Sequence, residues 1–88
     1  MKIKVYKPTE KELTAEGVKS WPIWTCEPST FDWFYDEKET CLILEGEVTV
    51  ETETETVSFK TGDMVVFPKN LSCVWNVKKA VRKHYKFG

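Results

Sequence analysis

Apolar residues in this chain recur mostly at every second position, and nowhere do they keep a helical period through three turns. A period of two is the mark of strands that bury one face. Ile3 and Val5 alternate with Lys2, Lys4 and Tyr6. Residues 8–13 read as one helical turn, with Thr9 as its N-cap, Glu12 completing the box, and Gly17 as the stop. Val18 to Cys26 reads as an extended run, which Pro22 confines to an edge or a bulge. Phe31 to Tyr35 alternates, with Phe31, Trp33 and Tyr35 on one face. Thr40 to Glu45 and Val48 to Val50 read as strands joined by a tight turn at Gly46, and Glu51 to Thr56 as a solvated hairpin tip. After a turn at Thr61-Gly62-Asp63 come the apolar strand Met64 to Phe67 and a break at Pro68-Lys69-Asn70. Cys73 to Val77 and Ala80 to Phe87 complete the series. This makes about eight or nine short strands with turn signals every eight to twelve residues, the pattern of a sandwich or barrel. The expected fold is all-β: a compact antiparallel jelly-roll β-barrel, with at most one short helical turn near residues 9–13.

At 88 residues the chain has room for one core, so a single domain over 1–88 is expected. Twelve aromatic residues, four of them Trp, and a net charge of −1 rule out a disordered chain. The 13 basic residues are matched by 14 acidic ones without a basic stripe, so no nucleic-acid partner is expected. The longest apolar runs, Cys41 to Leu44 and Met64 to Phe67, fall far short of the roughly 20 residues of a membrane helix. The start has no apolar stretch behind its lysines, so the cytoplasm is the expected location. Three cysteines, Cys26, Cys41 and Cys73, are an odd number at wide spacing, unlike a disulfide framework or a zinc finger. The absence of Gln, with only two Asn among many Lys and Glu, leans toward a heat-adapted source.

Two segments resemble the paired motifs of the cupin family. Gly62, five residues, Pro68, one residue, Asn70, two residues and Cys73 resemble the second motif, Gly-x5-Pro-x-Gly-x2-His. Glu39, six residues and Gly46 resemble the end of the first, His-x-His-x3–4-Glu-x6-Gly. The further string Phe31-Asp32-Trp33, Leu44 to Val48, Gly62-Asp63, Phe67-Pro68 and Trp75 is similar to a small single-domain subgroup. That subgroup is related to ureidoglycine aminohydrolase and to the ethanolamine-utilisation cupins. The resemblance covers roughly residues 18–87 and implies the jelly roll; it specifies no reaction. Cupins typically hold a first-row metal with three His and one Glu. Here the His positions fall on Trp33 and Tyr35, or on Asp32 and Phe34 with a longer spacer, and on Cys73; only Glu39 matches. The imidazole set is missing, so neither metal nor cofactor is expected.

If Trp33 and Tyr35 stand where relatives carry ligands, they point into the barrel. Glu39, placed inward by the motif match, shares a face with Cys41 and Ile43; Cys73 and Trp75 are expected to point in as well, and Lys83 and Tyr85 because their face carries Val81 and Phe87. The result is an aromatic-walled pocket for a small polar metabolite. Glu39, Lys83, Tyr35 and Cys73 are the candidate catalytic groups; Trp33, Cys41, Trp75 and Tyr85 are the candidate binding wall. A lysine on an apolar face must pair or reach outward, and a buried one can act as base, Schiff-base nucleophile or anchor. Cys73 can equally be a small core residue. His84, the only histidine, falls on the more polar face, where it is expected to be solvated. Two functions stay open: a metal-independent acid/base enzyme, and a non-catalytic metabolite-binding or sensing module. Less favoured are an interaction protein that pairs as a homodimer through edge strands, and a metal enzyme using Glu39 with Cys73.

Overall fold

The computed structural model describes residues 2–88. Its elements are β1 (Lys4–Tyr6), α1 (Glu10–Glu16), a 3-10 turn (Val18–Ser20), β2 (Ile23–Cys26), β3 (Ser29–Tyr35), β4 (Glu39–Glu51), β5 (Thr56–Lys60), β6 (Met64–Phe67) and β7 (Leu71–Phe87). Every strand pairing is antiparallel. The main path runs β1-β6-β4-β7-β2, while β5 adds to β4 and β3 adds to β7. The fold is therefore all-β with a short helix, as expected.

Strands β4 and β7 form the spine. At 13 and 17 residues they pair along nearly their whole length and serve both halves of the jelly roll. One half is β1-β6-β4-β7-β2; the other is β5-β4-β7-β3. Inward side chains of both halves share one core, which includes Ile43, Val50, Phe59, Val65, Phe67, Trp75 and Val81. Among the described residues no ladder joins β1 or β5 to β2 or β3, so the hydrogen-bonded ring expected of a barrel is left open at a seam.

The tight turn expected at Gly46 is instead a bulge inside β4; together with an unbroken β7, this leaves seven strands where eight or nine were expected. Gly46 has φ 106°. A Cβ there would stand 2.5 Å from the Ala80 carbonyl oxygen and 2.8 Å from Val81 Cα. Only glycine lets β7 approach so closely at that backbone angle. The register shifts between Ile43 and Val48. Odd-numbered Glu39, Cys41 and Ile43 therefore share the inner face with even-numbered Val48 and Val50. Opposite the bulge, Lys78, Lys79 and Ala80 are exposed, yet β7 continues through them as one strand where two were expected.

Helix α1 carries the expected capping box. The Thr9 hydroxyl accepts from the Glu12 N–H at 3.2 Å, and Glu12 Oε1 accepts from the Thr9 N–H at 3.1 Å. Gly17, with φ 65°, ends the helix in the left-handed region. The helix reaches Glu16, longer than the single turn near 9–13. Val18 to Ser20 is a 3-10 turn where an extended run was expected. The reason is burial: Val18 is fully enclosed against Leu42 and Met64, with Leu13 and Trp21 packed on them, so this segment covers the outer face of β4 and β6. That cover explains why β6 is apolar on both faces.

Candidate functional site

The β3–β4 turn sets the first part of the site. Tyr35 ends β3 and Glu39 begins β4, both pointing inward. The Tyr35 hydroxyl donates to Glu39 Oε1 at 2.8 Å. Asn70 fills the position that is glycine in the second motif, with φ 69°, and its N–H donates to the Tyr35 carbonyl at 2.6 Å. Asn is among the few residues that tolerate this conformation.

Lys83 completes the cluster from β7. Its Cα lies opposite Ile43, and its side chain runs along the inner face to place Nζ 2.9 Å from Glu39 Oε2. The pair is enclosed: the side chains of Lys83 and Glu39 are 5% and 4% exposed. The ammonium also lies over two indole rings, 5.0 Å from the centroid of Trp24 and 4.6 Å from that of Trp75. Burial first, then the charge and hydrogen bond of Glu39, push the Tyr35 hydroxyl far above the ordinary tyrosine range, so it remains a protonated donor.

These polar groups face a cavity of about 180 Å³ whose other walls are aromatic. Trp24, Phe31, Trp75, Tyr85 and Phe87 line it with Tyr35, and half-exposed Trp33 stands among them. Phe31 and Trp75 stack at 6.1 Å with planes 12° apart, and Trp24 meets both edge-on. Trp75 Nε1 is the one buried side-chain nitrogen or oxygen without a hydrogen-bond partner among the described residues.

The cavity thus brings together Tyr35, Glu39, Lys83, Trp33, Trp75 and Tyr85. Asp32 and Phe34 face outward, which resolves the one-residue ambiguity of the first motif in favour of Trp33 and Tyr35. The two cysteines stand apart from the cavity wall. Cys41 is fully buried in the core, where burial, with a smaller contribution from Glu39, pushes its thiol up to about 12 against a lowering by Lys83. Cys73 borders a separate open groove beside the β4–β5 tip and donates to the Trp33 carbonyl at 3.7 Å. Burial and the charge of Glu39 push its thiol up to about 11. Neither thiol has the electropositive setting of a nucleophile.

Three wall residues were missed in the sequence: Trp24, Phe31 and Phe87. Two had a signal, because Phe31 shares parity with Trp33 and Tyr35, and Phe87 with Lys83 and Tyr85. Trp24 had none, since only its pairing opposite Lys83 brings it in. His84, expected in solvent, is buried on the outer face, with Nδ1 2.9 Å from the Trp21 carbonyl. The segment leading into β2 covers it.

The residues do not fit the metal of typical cupins. Both Glu39 oxygens are engaged, and an ammonium stands where a bound cation would have to sit. Among the described residues no three His, Cys, Asp or Glu side chains converge. Protonated thiols and a phenol are poor substitutes for imidazoles.

Comparison with known proteins agrees with the architecture, which is that of a cupin. The EutQ-like cupin domain family matches residues 13–85, and the chain belongs to that family. A solved structure of a DUF861 family protein from Thermotoga maritima is similar at 49% identity and TM-score 0.97, covering 99% of this chain and 100% of that one. The EutQ protein of Clostridium difficile is similar in fold at 21% identity and TM-score 0.70, covering 94% of this chain and 66% of its own. A putative ethanolamine utilization protein Q from Salmonella typhimurium gives 24% identity and TM-score 0.69, covering 99% and 69%. No curated protein matches the sequence. No helix is long and apolar enough to cross a membrane.

Proposed function

We propose that this cupin binds a small, uncharged, planar metabolite in the aromatic cavity, with Glu39, Lys83 and Tyr35 holding its polar head. One observation carries this reading. A buried carboxylate–ammonium–phenol chain opens onto a cavity otherwise walled by rings. A buried ion pair contributes little net stability, so its value as a structural staple is small. Its value as a recognition device is greater, because it offers a donor and an acceptor in a dry setting. The charges set the selectivity. A carboxylate drawn to Lys83 meets Glu39, and an ammonium drawn to Glu39 meets Lys83, so a neutral dipolar head is preferred. Size limits the ligand too: a cavity of about 150 Å³ already holds benzene, so 180 Å³ suits a single ring with one polar substituent.

The test is a thermal-shift comparison of toluene, benzyl alcohol, benzoate and benzylamine. Benzyl alcohol is expected to raise the melting temperature most, following the stabilisation any ligand of the folded state confers. In the E39Q/K83M variant the preference for benzyl alcohol over toluene should vanish. If no neutral ring compound shifts the wild type, the reading fails.

The same three groups can donate and accept a proton beside a bound carbonyl, so acid/base turnover without a metal is the catalytic form of this reading. A sensing module would use the same contacts without chemistry. Product formation, measured by mass spectrometry after long incubation, separates the two.

A further inference from the structure

We infer that Lys83 is an imine-forming lysine, and that the cavity takes small ring-bearing aldehydes or ketones. The inference rests on the proposed binding role of the cavity and names the chemistry of its polar head.

Three observations carry it. First, Lys83 lines the cavity although its side chain is only 5% exposed, so the cavity is the route by which a reactant would reach its amine. Second, the group 2.9 Å away is a carboxylate, the base needed to free the amine's lone pair. Third, that carboxylate is itself held by the Tyr35 hydroxyl at 2.8 Å, a donor that supports it through both proton transfers. Amine, base and orienting donor are thus in one connected chain, which is the arrangement nucleophilic catalysis requires. The indole faces of Trp24 and Trp75 beside Nζ suit the two cations at the ends of the reaction, the resting ammonium and the protonated imine. The exposed lysines have no such combination of cavity, base and aromatic walls.

The step balances with water as its only by-product. The Lys83 ammonium gives one proton to Glu39. The neutral amine attacks the carbonyl carbon, forming the C–N bond, and the carbonyl π pair moves to oxygen. A proton passes from nitrogen to that oxygen, giving the carbinolamine. Protonated Glu39 then returns its proton to the hydroxyl, the C–O bond breaks, and water leaves. The product is a protonated imine of unchanged charge, with Glu39 again a carboxylate. No oxidant, reductant or metal takes part.

The experiment uses the full chain with equimolar benzaldehyde, followed by cyanoborohydride to reduce any imine, intact mass measurement and peptide mapping. The expected result is one benzyl group per chain, located on the peptide that carries Lys83, with excess benzyl alcohol suppressing it. The single variant K83M can fail to fold because it strands a buried carboxylate, so the double variant E39Q/K83M serves as the control. Its fold is checked by circular dichroism, and it is expected to lose the adduct. Labelling spread over exposed lysines, or an adduct that persists in the double variant, overturns the inference. If benzyl alcohol still stabilises the wild type in that case, the cavity keeps its binding role and only the imine falls. If neither compound shifts the melting temperature and no adduct forms, both readings fail together.

Discussion

Glu39 and Lys83 are worth more to each other than to the fold. Removing one partner of a buried pair leaves an uncompensated charge, which costs about 3–5 kcal/mol. The K83M variant is therefore expected to lose roughly that much stability, and E39Q/K83M to regain a large part of it because no charge is then stranded. Urea unfolding checks this: K83M with the wild-type midpoint would show that the carboxylate finds water. The cysteines give a second prediction. Cys41 and Cys73 are buried, with thiols pushed up to about 12 and about 11. Only the partly exposed Cys26 should react with iodoacetamide near neutral pH, the other two reacting after unfolding. Modification of Cys73 in the native protein at the rate of Cys26 would contradict its placement. At this scale the chain was largely readable. Tyr35 follows from parity once Trp33 is turned inward, Glu39 from its motif position, and Lys83 from sharing a face with Val81 on the same strand, because the pleat alternates within an uninterrupted stretch. Burial of His84 was not readable, since its cover comes from the segment around Trp21, far away in the sequence.

At the level of elements, the bulge in β4 decides how the two halves meet. Gly46 combines a positive φ with backbone of β7 inside van der Waals distance. Gly62 also has a positive φ, 94°, but a Cβ there would meet only the flexible end of Lys7 at 3.6 Å. Gly46→Ala should therefore cost more than the roughly 1–3 kcal/mol of a strained backbone alone, and Gly62→Ala should stay within that range. Comparing the two midpoints in denaturant tests this; equal losses would mean that β7 yields without cost. Along the chain, Gly46 has the signature of a hairpin turn. A glycine between two apolar runs looks the same in either case, and only the partner strand distinguishes them. The α1 cap, in contrast, was legible, because Thr9, Glu12 and Gly17 satisfy one another locally.

Over the whole molecule, loss of stability in acid has an identifiable source in Asp63, which ties the β5–β6 turn to the N-terminal segment. Burial by itself would raise its carboxyl. Hydrogen bonds from Lys7 Nζ at 2.7 Å and the Lys60 N–H at 2.9 Å, with both lysine charges, outweigh burial and hold it below the usual range. A carboxyl lowered by folding contributes stability that is complete above the unfolded value of about 3.9 and drains away as pH falls through the folded value. Asp63→Asn should thus be less stable than wild type at neutral pH and converge with it near pH 2, roughly. Unfolding midpoints measured across that range check the sign; a gap independent of pH would assign the loss to packing instead.

Residue order alone settled which side chains share a strand face, where turns can form, and that histidine ligands are missing, because each of these depends on near neighbours along a pleated chain. It could not settle the bulge at Gly46, the seam left open in the sheet, or the meeting of Lys83 with Glu39 across 44 positions. Those depend on which strand lies beside which, and the pairing of β4 with β7 is decided by the burial of one shared core rather than by any local preference.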